Sequence, residues 1–266
     1  MIKYRCKCGN NYYLCCVMRY FLELKYDGGA YCGWQIQPDV VTVQGTIESA
    51  LSKLLRHSVE IVGAGRTDTG VNALYYVAHF DTEVAFDADQ LRYKLNLMLP
   101  HDISIDSVTP VSNEAHARFD AKEREYTYYI STTKNPFRRF SAWMYYVPLD
   151  IDKMNEAARL LLEYEDFTTF AKLNSNNKTN ICHLMHAEWV REGDVLRFKI
   201  RADRFLRNMV RSIVGTLVDV GRGRYTVDEF RAIVEAKDLS KASAGAPAQG
   251  LFLSDVVYDA ELFPRD

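Results

Sequence analysis

Apolar and polar positions alternate along some stretches of this chain and recur at helical spacing along others. "RYFLELKYD" (Arg19–Asp27) alternates and is rich in β-formers, which predicts a strand. "GGAYCGWQIQPD" follows as a glycine-rich loop. "TVQGTIESALSKLLRH" brings Ile47, Ala50, Leu51, Leu54 and Leu55 to one helical face, with Thr42 as the N-cap. "VEIVGAG" reads as a short strand and "ALYYVAHFDTE" as a longer one. "DADQLRYKLNLML" reads as a helix stopped by Pro100, and "DISIDSVTPV" alternates again. The order β-α-β-β-α-β is a split β-α-β unit.

The second half follows a similar plan. "EYTYYIST" is a long strand, with a further strand in "WMYYVPLD". "DIDKMNEAARLLLEYE" is a helix, and "LMHAEWVREGDVLRFKIRAD" a hairpin turning at Glu192-Gly193-Asp194. "FLRNMVRSIVGTLVDVG" reads as a helix with Phe205, Met209, Ile213, Val214 and Leu217 inward, closing at Gly221. "TVDEFRAIVEAKD" is a short helix and "GLFLSDVVYD" a final strand, while "LNSNNKTN" is a polar, mobile loop. The pattern predicts an α+β fold in two comparable halves, an N-terminal half over 19–112 and a C-terminal half over 113–266. A poorly ordered leader over 1–18 precedes them. The halves repeat in element order but not in residues.

Composition narrows the picture a little. The 266 residues suggest one large or two small domains. Hydrophobic residues at 48% and charged residues at 26% fit an ordinary globular chain. The net charge of −2 announces neither nucleic acid nor membrane, so any polyanion site must come from local clustering. No apolar run reaches the ~20 residues of a spanning helix. The leader is basic, then apolar from Tyr12 to Met18, but Arg19 follows with no small-residue cleavage site. Cys6, Cys8, Cys15 and Cys16 lie there. The adjacent pair fits a zinc site poorly, and Cys182-His183 with His186 reads as an accident of spacing. Without a disulfide framework, a reducing compartment is expected.

Candidate chemistry centres on "GAGRTDTGVNA", Gly63 to Ala73. A dinucleotide fingerprint would place a third glycine where Asp68 stands, and a carboxylate there repels pyrophosphate. No Gly-Lys-Ser/Thr follows, so the Walker pattern fails too. Asp68-Thr69-Gly70 matches an aspartic-protease tripeptide, yet no second copy supplies the partner carboxylate. A plain surface turn also accounts for the stretch. Alternatively Asp68 works alone, held ionised by the nearby Arg66 guanidinium and available as a nucleophile.

A basic cluster lies downstream. Between Arg201 and Arg224 there are six arginines against Asp203 and Asp219, 6 − 2 = +4. Arg204, Arg207 and Arg211 are spaced to share one helix face. Arg118, Arg124, Arg138 and Arg139 add to the set. Arginine favours bidentate phosphate contacts, and Tyr126, Tyr128 and Tyr129 offer rings on which unpaired bases stack. A solvated helix face and a sheet core are the plainer readings of the same residues.

The ordered segments "YDGGAYCGWQIQP", "TVQGTIESAL", "GAGRTDTGVNALYYVAHFDT", "LPHDI", "HARFDAKEREYTYYI", "FLRNMVRSIVGTLVDVG" and "APAQGLFLSDVVY" resemble the tRNA pseudouridine synthase A family from about Arg19 to Tyr258. The resemblance implies two α+β halves building a mostly antiparallel mixed sheet flanked by helices, with a basic cleft between them. It implies isomerisation of uridine to pseudouridine at positions 38, 39 and 40 of the tRNA anticodon stem-loop, with no cofactor and no metal. It implies a cytoplasmic homodimer with tRNA as its partner. Carried over by position, Asp68 is the nucleophile, attacking either the uracil ring or the ribose C1′. Tyr126 stacks on the flipped base and is placed to remove its C5 proton. Arg66 helps hold the place of the flipped nucleotide, Arg211 pairs with the aspartate, and Leu251 packs on the base. Arg204 and Arg207 join the substrate-binding set from the basic cluster. The chain departs from the family at Thr69, often alanine, and at Asn72, often histidine. A binding protein that keeps the cleft without turnover is the rival reading.

Overall fold

The computed structural model describes residues 4–8, 11–15, 17–172 and 178–263. Within the stretch expected to be a loose leader, β1 (Tyr4–Cys8) pairs antiparallel with β2 (Asn11–Cys15) in a two-stranded sheet of its own. Both segments are rich in β-formers, and Gly9-Asn10 between them has hairpin composition. The four leader cysteines have side chains outside the described residues, as does most of the polar loop read at 173–180.

Contacts divide the chain into two compact units. The first comprises Met1–Thr67, Ala73–Lys122 and Val256–Asp266. It contains β3 (Met18–Tyr26), α1 (Val43–Leu55), β4 (Ile61–Gly63), β5 (Asn72–Thr82, from Ala73), α2 (Ala88–Met98) and β6 (Ile103–Val111). The expected β-α-β-β-α-β order is present. The strands run β6-β3-β5 with β4 on β5, all antiparallel. Thr42 caps α1 by accepting from the Gly45 amide, and Asp87 caps α2 from Gln90. Stacked Trp34 and Tyr76 rings, centroids 4.1 Å apart, fill the space beside Gly63, where a Cβ has no room. The Tyr76 hydroxyl donates to the Gly65 carbonyl.

The second unit comprises Asp68–Asn72 and Glu123–Asp255. It contains β7 (Glu123–Ser131), β8 (Trp143–Met144), α3 (Ile151–Leu160), β9 (Leu184–Glu192), β10 (Val195–Ala202), α4 (Met209–Gly221), α5 (Val227–Glu235) and β11 (Leu251–Val257, to Asp255). Its strand order is β11-β7-β10-β9, and β8 lies parallel to β7. The hairpin between β9 and β10 turns at Gly193, φ +64°. The sheet is therefore mixed but mostly antiparallel, with helices packed against it.

Alternation on β10 sorts the two faces of this sheet. Leu196, Phe198, Ile200 and Ala202 are buried against the helices, while Arg197, Lys199 and Arg201 face away. The register places Tyr126, Tyr128 and Ile130 of β7 beside Ile200, Phe198 and Leu196 on the core face. Glu125, Thr127 and Tyr129 lie on the other. The plainer reading of the tyrosines therefore holds for Tyr128, which is fully buried and donates to the Pro247 carbonyl at 2.8 Å.

One helix start differs from expectation. The sequence predicts a helix from Phe205, but α4 begins at Met209. Asn208 sits at φ 64°, ψ 0°, a left-handed conformation that asparagine tolerates and that stops a helix propagating through it. Arg204 and Arg207 therefore lie on the turn before α4, and only Arg211 is on the helix. The single arginine face does not exist.

Among the described residues no helix is long and apolar enough to cross a membrane. Nor does any group of three His, Cys, Asp or Glu side chains among them gather as metal ligands. Burial pushes the Cys182 thiol up to about 12, and His183 faces Glu165 instead, at 3.5 Å.

Candidate active site

Asp68 opens a tight turn. Its carbonyl accepts from the Val71 amide at 3.1 Å, and Gly70 has φ +76°. That conformation favours glycine, and a Cβ there would also press on Ala248 at 3.3 Å. Val71 is buried in the core of the second unit. Nδ2 of the buried Asn72 side chain donates to the Gln249 carbonyl at 3.0 Å. Two anchors immediately after the turn thus hold the carboxylate, whose side chain stays 28% exposed.

Those anchors depend on α4. The loop that carries Ala248 and Gln249 is fastened along the helix. The Ala246 amide donates to the Arg211 carbonyl at 2.9 Å, and Arg211 Nε donates back to the Ala246 carbonyl at 2.7 Å. The Ser243 amide donates to Thr216 Oγ1 at 3.1 Å, and the Ser243 hydroxyl to Asp219 at 2.6 Å. Gly215 lets the Ala244 carbonyl lie directly on the helix where a Cβ would stand. Position passes from α4 through this loop to Gln249, then Asn72, then Asp68.

The guanidinium beside Asp68 belongs to Arg207. Its Nε lies 3.6 Å from Oδ1, with the arginine side chain 60% exposed. So solvated a pair is worth only about 0–1 kcal/mol, and a substrate can displace it. Arg66 is exposed, with no carboxylate in ion-pair range among the described residues. Arg211 spends its Nε on Ala246 rather than on the aspartate.

The basic cluster thins under the same accounting. Arg201 pairs with Glu125 at 2.9 Å and with Glu123 at 3.5 Å. Arg222 and Arg224 share the buried Asp219. Of the six, Arg204 and Arg211 have no carboxylate in ion-pair range among the described residues, and Arg207 meets only Asp68.

Tyr126 stands on the core face of β7, partly buried, with the Phe205 ring edge-on at 5.1 Å and 90°. Burial, and then the charge of Asp68, push its phenol up to about 12, against the opposing pull of Arg124. The group is a neutral phenol at physiological pH. Leu251, at the start of β11, is buried in the core against which Tyr126 packs. Gly250 before it must be glycine, since a Cβ would meet the Tyr128 ring at 2.7 Å. The structure therefore brings Asp68, Arg207, Tyr126, Arg211 and Leu251 into one unit. Sequence reasoning missed Asn72, Gln249 and Phe205 as supports. Asn72 stood out only as a departure from the family pattern.

A carboxylate on a rigid turn, a neutral phenol in the same unit and arginines whose only carboxylate partner is Asp68 itself suit an uncharged base carried on a phosphate backbone. The family model for tRNA pseudouridine synthase matches residues 24–120 and 157–259, and the chain belongs to that family. Three relatives are named tRNA pseudouridine synthase A. The chain is 54% identical to the one from Parabacteroides distasonis, over 92% of this chain and 98% of the relative. It is 53% identical to that of Bacteroides fragilis, over 93% and 99%. The Bacteroides thetaiotaomicron protein is 52% identical over 94% of both.

Proposed function

We propose that this protein isomerises uridine to pseudouridine at positions 38, 39 and 40 of the tRNA anticodon stem-loop. The observation that carries the reading is the Asp68 turn, anchored through Val71 and Asn72 and electrostatically coupled to Tyr126. In the reaction the N1–C1′ bond breaks and a C5–C1′ bond forms. The C5 proton leaves to solvent and N1 regains one. Atoms and electrons balance with no oxidant or reductant. Asp68 is the nucleophile that holds the intermediate while the uracil turns over.

The neutral Tyr126 phenol stacks on the flipped base, with Leu251 as the aliphatic wall. Flipping a stem base costs a few kcal/mol, which phosphate contacts from Arg204 and Arg207 help to offset. Arg211 acts as a positioning residue through the Ala246 loop. Arg66 is the residue that keeps the vacated place in the stem. A cytoplasmic homodimer whose basic cleft takes one tRNA completes the reading, supported by the family resemblance.

Mapping pseudouridine in tRNA transcripts after treatment tests the site. Conversion confined to 38, 39 and 40 is expected, and conversion only elsewhere would contradict it. Light scattering of the free protein should give twice the chain mass, and a monomer at micromolar concentration would remove the dimer.

A further inference from the structure

Beyond the active site, β7 runs into a tip that carries exposed rings. From Tyr126 to Ser131 the strand rises about 16 Å. The segment after it, Thr132 to Val147, carries Lys134, Arg138 and Arg139 and no acidic residue, 3 − 0 = +3. Among the described residues no carboxylate lies in ion-pair range of Arg138 or Arg139, whereas Arg201, Arg222 and Arg224 are all paired. Phe137 is 94% exposed and Phe140 66% exposed. The Arg139 guanidinium lies over the Phe140 ring at 4.4 Å.

The tip is held at its base. The Thr132 amide and hydroxyl both donate to the Asp194 carbonyl, at 2.8 and 2.9 Å. The Thr133 hydroxyl donates to the Asp194 carboxylate at 2.7 Å. On the return side Ala142 is fully buried, and Trp143 meets the buried Tyr128 edge-on. Asn135 caps the short 3₁₀ turn, with Pro136 fixing its first position. Such anchoring leaves both rings exposed, although burying Phe137 would be favourable, while Arg138 is half-buried and Arg139 Nη1 donates to the Pro136 carbonyl at 3.2 Å.

We propose that this tip is a second RNA contact, in which Phe137 stacks on an unpaired base and Arg138 and Arg139 hold flanking phosphates. Exposed rings interleaved with arginines that have no carboxylate partner among the described residues fit single-stranded RNA. The strand rise sets the base of this segment, at Ser131, about 16 Å from Tyr126. The proposal rests on the tRNA reading above for its substrate. It assigns the tip to affinity and leaves the chemical step to the active site.

The test compares the full chain with the Phe137→Ala/Arg138→Ala/Arg139→Ala variant. All three side chains are at least partly exposed, and circular dichroism checks the fold. Filter binding of tRNA transcripts is expected to weaken roughly 10- to 100-fold. The slope of log affinity against log salt should become shallower by about two, one per lost phosphate contact. Single-turnover tritium release at saturating tRNA should stay within about twofold. Unchanged affinity, or a lower saturating rate at unchanged affinity, would overturn the proposal. So would a change of oligomeric state in the variant without loss of RNA affinity, since the tip would then contact a second copy. If the wild type binds tRNA but releases no tritium, the isomerase reading fails, and the binding comparison still decides the tip.

Discussion

The two ends of β7 are made from the same residue types and arranged in opposite ways. At the Tyr126 end the ring is packed edge-on by Phe205 and its phenol is pushed up by burial and a carboxylate. Arg211 there is tied to a backbone carbonyl. At the Phe137 end the rings face solvent and the arginines lack acidic partners among the described residues. Held groups can act on a reacting atom, because rate depends on geometry to within about an ångström. Solvent-exposed groups can follow a backbone but cannot fix an atom. Arginine and aromatic residues in sequence therefore do not separate packed groups from exposed ones, whereas the structure does.

Substitutions at the two ends should accordingly split into rate effects and affinity effects. The largest is Asp68→Ala, which is expected to abolish turnover while tRNA affinity stays within about 1–2 kcal/mol, because phosphate contacts dominate binding. A binding loss beyond a hundredfold would merge the two ends. Arg211→Ala is expected next, with a saturating rate about a hundredfold lower at unchanged affinity, as the loop that positions Asn72 loosens. An unchanged rate would show that the held end is not held there.

Tyr126→Ala should cost about 10- to 100-fold and Tyr126→Phe less than tenfold, since the ring does more than the hydroxyl. The same assignment bears on pH. Below about 12 the phenol stays protonated. If its rare phenolate were the working base, the single-turnover rate would climb roughly tenfold per unit between pH 7 and 9. A flat profile is expected, and a unit slope that disappears in Tyr126→Phe would assign the proton to this residue. The smallest effect belongs to Phe137→Ala alone, a few-fold weaker affinity with no change of rate. A lower saturating rate there would break the division.

Much of the fold was legible because the pattern is clean. The split β-α-β order of the first unit, the hairpin at Gly193 and the Thr42 cap all follow from local rules of period, turn and capping. The start of α4 was not, because Phe205-Leu206-Arg207 continues the helical spacing and nothing local marks Asn208 as left-handed. That one backbone conformation removed the arginine face. The Asp68 turn was legible as a motif, but the guanidinium beside it was not. Arg66 is near Asp68 in sequence, whereas Arg207 reaches it across 139 positions. The Asn72–Gln249 bond spans 177 positions and only tertiary structure shows it.

The central claim is that Asp68 alone turns a bound uridine over. Its most direct test uses tRNA transcripts tritiated at uracil C5, with wild type and Asp68→Ala run side by side without added metal or nucleotide. Release of tritium to water by the wild type and none by Asp68→Ala is the expected result. Equal release by both, or tight binding with no release by either, would contradict it.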